Sequence, residues 1–178
     1  MRFQLLLMPA AIVAAAPAVA LDVQELAAAQ AAIFPNATLT PSNFTLTEDQ
    51  AERLARDSGS TVFRSEVRAW QASTGGWLFL DQVPGLNDRI TYVVGLDRTG
   101  TLIGVEILVC VEGFCGIATP EWRQQFFGKR HNAKDAAHEI SIISGSTLST
   151  SHVSQGVNRV LATYALFLAP GVKKQTGG

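Results

Sequence analysis

Residues 90–109 read Ile-Thr-Tyr-Val-Val-Gly-Leu-Asp-Arg-Thr-Gly-Thr-Leu-Ile-Gly-Val-Glu-Ile-Leu-Val. Two β-rich runs, Ile90–Leu96 and Thr101–Val109, flank the four residues Asp97–Gly100. Because Gly100 tolerates a left-handed backbone, the stretch predicts an antiparallel hairpin. Side chains alternate between the two faces of a strand, so one face of the first strand carries a set expected to enter the core. That set is Tyr92, Val94 and Leu96.

Further strands are predicted on either side of this hairpin. Thr61–Ala69 and Trp77–Val83 are rich in Val, Leu and aromatic residues, and the turn segment Ser73–Gly76 separates them. Ile140–Ile143 predicts a short apolar strand, whereas Pro35–Ser42 is typical of an extended connection.

Helices are predicted at both ends of this set of strands. Val23–Ile33 begins after Asp22 with Glu25 three residues on, and Glu48–Arg56 begins after Thr47 with Gln50 three residues on, the pattern of a capping box. A short helix is expected over Trp122–Phe127 with Gly128 as its end, and His131–Glu139 is a possible helix. Ser151–Leu168 carries an apolar stripe at helical spacing. The order of elements predicts an α+β fold, an antiparallel sheet flanked by helices.

The N-terminus has the pattern of a secretory signal peptide. Arg2 precedes the apolar run Phe3–Ala16, and Ala18-Val19-Ala20 matches a cleavage site. We expect cleavage after Ala20 and export, which leaves a single domain over residues 21–178 in a periplasmic or otherwise extracytoplasmic compartment. The alternative is a retained N-terminal anchor, which would make the protein membrane-associated.

Charge excludes one class of partner. The 178 residues carry 14 basic and 15 acidic side chains, a formal net charge of −1, and no Lys/Arg cluster. Nucleic-acid binding depends on a basic surface, so the sequence gives no reason to expect it.

A hydroxyl-rich turn, Ser144-Gly145-Ser146-Thr147-Leu148-Ser149-Thr150, precedes the last helical pattern. Helix N-termini present unpaired N–H groups and a partial positive charge, so they hold phosphates well. The turn is consistent either with a phosphate-bearing ligand or with an ordinary hydroxyl N-cap.

The order of these features resembles the extracytoplasmic FMN-binding domain family, which includes the flavin-carrying subunits of the Rnf and Nqr redox pumps. The family's motif is approximately Asp-x-x-Ser/Thr-Gly-Ala-Thr-x-Ser/Thr-Ser, and residues 144–150 match its central part. The hairpin of residues 92–105 is similar to the family's central hairpin, Trp122–Lys129 resembles its Trp-x-x-Gln-Phe-x-Gly-Lys segment, and Gly156-Val157 also fits.

The resemblance implies a specific cofactor chemistry. In the family, a flavin transferase esterifies FMN through its phosphate onto the motif threonine, which here is Thr147. The resemblance therefore implies covalent FMN, a flavin transferase for maturation, and membrane or soluble redox partners. It assigns no catalytic residue and no metal. The implied cofactor-binding residues are Ser144, Gly145, Ser146, Thr147, Leu148, Ser149, Thr150, Glu112 and Gly113.

Three positions depart from the family pattern. Ser141 stands where the motif has Asp, and Ser146 stands where it has Ala. The loop in which family members often have Glu-Thr-Pro-Gly contains Cys110-Val111-Glu112-Gly113-Phe114-Cys115-Gly116.

The two cysteines leave several readings open. Five extended steps cover roughly 16 Å, so a Cys110–Cys115 disulfide requires a turn at residues 111–114. In an oxidising compartment the pair is expected to be a structural disulfide, with a dithiol that exchanges electrons with the flavin, or free thiols, as alternatives. A zinc site lacks a second ligand pair.

Histidines and tryptophans are weaker candidates. His131, His138 and His152 are too widely spaced for a metal-binding helix motif, and His152 is close enough in sequence to the turn to influence a flavin. Trp70, Trp77 and Trp122 are expected in the core, with Trp122 as the best candidate for stacking on a ring.

Three functions remain in view. The favoured one is an exported electron-transfer module that carries FMN on Thr147, an electron carrier rather than a stand-alone enzyme. The others are a small periplasmic flavin reductase with Cys110 and Cys115 as a redox relay, and a degenerate non-flavin binding module. The change to Ser141 keeps the last alternative open.

Overall fold

A computed structural model describes residues 22–131 and 140–172, and the predicted signal peptide lies outside them. Six antiparallel strands form the sheet: β1 (Leu39–Pro41), β2 (Phe44–Thr45), β3 (Glu66–Ala72), β4 (Trp77–Pro84), β5 (Arg89–Leu96) and β6 (Leu102–Val109). The strand order is β1-β3-β4-β5-β6, and the two-residue β2 pairs with the other end of β3.

The helices are α1 (Val23–Ile33), α2 (Glu48–Ser58), α3 (Pro120–Gln124) and α4 (Thr147–Thr163). Three-residue Gly116–Ala118 forms a 3-10 turn, and α4 continues as a π-helical turn over Tyr164–Leu168. Among the described residues, no helix is long and apolar enough to cross a membrane. The predicted α+β class, an antiparallel sheet packed against helices, is confirmed.

The hairpin that organised the prediction is present. β5 and β6 pair antiparallel, and Gly100 in their connection has a φ of +79°. Tyr92, Val94 and Leu96 are all fully buried on one face, where they meet α4 residues such as Val157. This face of the sheet, together with α4, forms the main core.

Helix α1 covers the opposite face. Leu78 and Leu80 alternate with the main-core residue Phe79 and pack in a second cluster with Ala29 and Phe34. The glycines at 95 and 104 are paired across β5 and β6, and a Cβ on either would meet the Ile33 side chain. These two glycines therefore let α1 approach the sheet closely.

Both predicted N-caps of the first two helices are observed. Asp22 accepts a hydrogen bond from the Gln24 N–H, and Thr47 and Gln50 form a reciprocal capping box. Gly59 ends α2 with a φ of +63°, so this helix is two residues longer than predicted.

Other boundaries differ for identifiable reasons. The strand predicted over Thr61–Ala69 begins only at Glu66, because the Thr61 carbonyl is used by the Arg159 side chain and the Ser65 carbonyl by the Leu46 N–H. The extended connection after α1 contains β1. The helix predicted over Trp122–Phe127 is shifted to Pro120–Gln124, with turns reaching Gly128 at φ +78°.

Two predictions around the hydroxyl-rich turn were wrong. Ile140–Ile143 is not a strand, since the Ser141 N–H donates to the Gln125 side chain and its carbonyl accepts from the Trp122 indole. The last helix begins at Thr147 rather than Ser151, so most of the hydroxyl-rich segment is helical. The possible helix at His131–Glu139 lies almost entirely outside the described residues.

Candidate functional site

The hydroxyl-rich segment forms a turn followed immediately by a helix. The Ser146 N–H donates to the Ile143 carbonyl over 3.0 Å, and Gly145 between them has a φ of +84°. Ser146 is the N-cap residue of α4, and Thr147 is the first helical residue. Thr147 is exposed, so its hydroxyl stands at the accessible end of a 17-residue helix.

The Ser146 side chain does not cap the helix. Its hydroxyl instead donates to the Phe114 carbonyl over 2.7 Å and accepts from the Gly116 N–H over 3.4 Å. The first turn of α4 contains no acidic residue. Because neither a cap nor a carboxylate occupies this end, the N–H groups and helix dipole can favour an anion.

Buried hydroxyls within the segment hold its shape. Thr150 is 1% exposed. Its Oγ1 donates to the Ser146 carbonyl over 2.5 Å and accepts from the Ile143 N–H over 3.5 Å. Ser149 is also buried, whereas Ser144, Gly145 and Leu148 are exposed. The exposed hydroxyls of the segment are thus those of Ser144 and Thr147.

The cysteine-containing loop contacts this turn directly. Cys110 and Cys115 form a disulfide with Cα atoms 6.3 Å apart. The loop between them contributes the Phe114 carbonyl to Ser146, and the Phe114 ring is the nearest group to a Cβ placed on Gly145, at 3.6 Å. A Cβ on Gly116 would lie 3.0 Å from the same ring. Small residues therefore surround the Phe114 side chain.

Glu112 connects the same loop to the turn between β4 and β5. Its Oε1 accepts from the Leu86 N–H over 2.7 Å and from the Asn87 N–H over 3.4 Å. A Cβ on Gly85 would lie only 2.2 Å from that oxygen. Gly113, by contrast, is exposed with no atom near its Cβ position, so packing does not require glycine there.

His152 ties the β4–β5 turn to α4. Its Nδ1 lies 2.7 Å from the Pro84 carbonyl oxygen. Since a carbonyl only accepts, Nδ1 carries the proton in this contact and Nε2 is the basic nitrogen of the neutral ring. Three segments therefore converge: the start of α4, the disulfide loop and the β4–β5 turn.

Large apolar side chains are exposed on these three segments and on the strandless stretch before α4. Phe114 is 58% exposed and Leu148 43% exposed. Leu86, Val111 and Ile142 are exposed as well. Exposed apolar groups concentrated on one group of loops are typical of a binding surface.

The other aromatic and histidine candidates lie elsewhere. Trp122 is 2% exposed, donates its indole N–H to the Ser141 carbonyl and packs edge-on against Phe126, so it offers no stacking surface. His131 lies 2.8 Å from Asp57 on α2. His138 is outside the described residues. No cluster of metal-binding side chains is found in residues 22–131 and 140–172.

A buried polar network was missed in the sequence. The Tyr92 hydroxyl donates to Asp81 over 2.5 Å, and the Arg159 guanidinium donates to the same carboxylate oxygen over 2.7 Å. Burial first, and the Asp81 charge second, raise the pKa of Tyr92 well above its ordinary value. Arg159 is twelve residues along α4 from Thr147, about 18 Å at 1.5 Å per residue, so this network is separate from the turn.

Sequence reasoning also missed Phe114, Gly116 and the β4–β5 turn as parts of the site. Phe114 lies between two cysteines in a loop, and an aromatic residue in a short cross-linked loop was the available signal. Gly85-Leu86-Asn87-Asp88 has ordinary turn composition. Nothing in that composition indicates that Glu112 would hold it.

Comparison with known proteins agrees with this architecture. Residues 85–162 match the FMN-binding domain family. The match runs from the β4–β5 turn through most of α4 and includes the disulfide loop. This part of the chain therefore belongs to the FMN-binding domain family, and the resemblance drawn from its motifs is confirmed.

A distant relative belongs to the Na(+)-translocating ferredoxin:NAD(+) oxidoreductase complex of Acetobacterium woodii, of which it is one component. It is 28% identical over 91 residues, an alignment that covers 45% of this chain and 44% of the relative. The similarity therefore spans less than half the length of that curated protein.

The residues present fit an FMN phosphate. The exposed Thr147 hydroxyl, the uncapped first turn of α4 and the glycine at 145 leave room and positive potential for a phosphate. The exposed Phe114 and Leu148 side chains add apolar surface next to it.

Proposed function

We propose that this chain is an exported electron-transfer module that carries FMN esterified through its phosphate to the Thr147 hydroxyl. The observation that carries the proposal is the accessible position of Thr147 as the first residue of α4, at a helix end that Ser146 leaves uncapped. A phosphodiester retains one negative charge, which the helix N-terminus favours.

The chain's own residues would hold the attachment turn rather than perform chemistry. Ser146 and Thr150 fix its shape by hydrogen bonds, and Gly145 provides the left-handed residue it requires. Bound FMN supplies the redox chemistry, and the protein supplies position and electrostatics. No deep substrate pocket is needed for this role.

Apolar exposed side chains support the placement of a planar ring near the turn. Phe114 and Leu148 stand on the two segments that the Ser146 hydroxyl joins. Aromatic and aliphatic surfaces of this kind bury the faces of ring systems favourably. A covalent tether also suits an exported protein, because a dissociated flavin would be lost by diffusion.

Maturation and partners follow from the same proposal. A flavin transferase would recognise the turn and modify Thr147 even though Ser141 replaces the motif aspartate. The relationship to a component of an Rnf-type complex supports redox partners within a membrane complex or in solution. The signal-peptide pattern of residues 1–20 supports an extracytoplasmic location.

The test is co-expression of the full chain with a flavin transferase, followed by denaturing electrophoresis and flavin fluorescence. Wild type and Ser144→Ala should give a fluorescent band, and Thr147→Ala should not. Ser144 is the matched control, because it is an exposed hydroxyl in the same turn. A fluorescent Thr147→Ala band, or a dark wild-type band, would overturn the proposal.

A further inference from the structure

The Cys110–Cys115 disulfide is local. The two residues are five apart, one directly after β6 and the other directly before the 3-10 turn. In the chain-entropy account a bridge closing so short a loop stabilises by about 2 kcal/mol, against about 4.7 kcal/mol for a 100-residue loop. The sheet and α4 are joined by the buried core instead, so opening this bridge leaves the main core contacts in place.

The loop closed by this bridge is nevertheless the centre of the contacts around the turn. Its Phe114 carbonyl accepts from Ser146, and the Glu112 carboxylate holds the Leu86 N–H. The Val111 carbonyl accepts from the Asn87 side chain over 3.4 Å. The bridge thus constrains the residues that connect α4 to the β4–β5 turn.

The loop is also accessible. Val111 is 41% exposed and Phe114 58% exposed, while the two cysteines are partly buried against the main core. Bridges that are exposed and close short loops are the more readily exchanged ones, whereas structural disulfides are protected and resist reduction.

We propose that Cys110 and Cys115 form a thiol–disulfide exchange site for a dithiol partner, and that their oxidised state holds the turn that presents Thr147. The exchange activity is independent of the proposed flavin attachment, and only the significance of Thr147 rests on it. The co-reactant is a protein or small molecule with two neighbouring thiols.

The exchange balances as a two-electron reaction. A partner thiolate attacks one sulfur of the bridge, an S–S bond forms between partner and chain, and the other cysteine leaves as a thiolate that takes up a proton. The partner's second thiol then breaks the mixed disulfide and frees the second cysteine. The partner is oxidised to its disulfide, and the chain gains two electrons and two protons.

Exchange is tested on the full chain produced without a flavin transferase, so the outcome does not depend on FMN. Dithiothreitol is added to folded protein and to protein unfolded in urea, and samples are alkylated and weighed intact. We expect the folded chain to gain two labels at a rate within about tenfold of the unfolded chain. A folded chain that reacts about a hundredfold slower, or reacts only as it unfolds, would overturn the proposal.

The structural half is tested by amide hydrogen exchange of oxidised and reduced protein. Reduction should speed exchange over residues 144–149 by about tenfold or more and leave the paired amides of β5 and β6 unchanged. A Cys110→Ser/Cys115→Ser variant should resemble the reduced wild type. Unchanged exchange in the turn would contradict a holding role, even if the bridge were easily reduced.

Discussion

The Ser146 hydroxyl donates a 2.7 Å hydrogen bond to the carbonyl oxygen of Phe114. Both residues occupy positions where the chain departs from the FMN-binding pattern: Ser146 replaces the motif alanine, and Phe114 lies between the two unusual cysteines. Two departures that looked independent in the sequence are thus in direct contact. The hydroxyl that would normally cap α4 secures the disulfide loop instead, and the helix N-terminus stays uncapped.

Replacing Ser146 with alanine tests this contact. Ser146→Ala removes the bond to Phe114 and leaves that carbonyl and the Gly116 N–H without their partner, so the free energy of unfolding should fall by about 1 kcal/mol in urea denaturation. Flavin attachment should persist, since alanine is the motif residue at this position. An unchanged stability would contradict the importance of the contact.

Gly156 should be intolerant of any side chain. A Cβ there would lie 1.9 Å from the Tyr92 hydroxyl and 2.9 Å from a Val83 methyl group, so Gly156→Ala should destabilise by about 1–3 kcal/mol through overpacking. Thermal or urea unfolding measures the effect.

The matched control is Gly113→Ala, because a Cβ at Gly113 has no atom within 4 Å. This substitution should change the free energy of unfolding by no more than about 0.5 kcal/mol. Equal effects of the two substitutions would contradict the close approach of α4 to the sheet.

The buried ion pair between Asp81 and Arg159 should be costly to break. Asp81→Ala leaves the largely buried Arg159 charge without its carboxylate and Tyr92 without its acceptor, so a loss of about 3 kcal/mol is expected. Tyr92→Phe removes only a hydroxyl and should cost less than Asp81→Ala. The reverse order in urea denaturation would contradict the network as described.

The chain's only two tyrosines should be silent in an alkaline titration of the folded protein. Burial raises the pKa of both Tyr92 and Tyr164 above 10.0, and nearby Asp81 and Asp97 respectively add to the effect. Their contribution to stability is fully present below the unfolded pKa near 10 and is lost as pH rises through the folded pKa values.

Phenolate absorbance should therefore appear together with unfolding, as followed by circular dichroism. Ionisation of a full tyrosine equivalent near pH 10, with the fold intact, would contradict this expectation.

Sequence reasoning recovered the parts of the fold that local chemistry determines. The β5–β6 hairpin follows from its alternating pattern and Gly100, and the capping box at Thr47 and Gln50 places the start of α2. The attachment turn was recognised because its hydroxyls stand together in the sequence, and its family assignment followed from that motif.

The remaining features depend on contacts between distant residues. Ile140–Ile143 has strand composition, but Trp122 and Gln125 satisfy the Ser141 backbone groups before any strand can. The pairing of Ser146 with Phe114 and of Glu112 with Leu86 joins residues far apart in the chain. No spacing rule reveals such contacts, and the same holds for the burial of Asp81 and Arg159 together.

The most direct test of the account is the intact mass of the full chain co-expressed with a flavin transferase, followed by fragmentation of the peptide that contains residues 144–150. The account predicts a gain equal to FMN less one water, located on Thr147. An unmodified chain, or the same gain located on Ser144 or another residue, would contradict it.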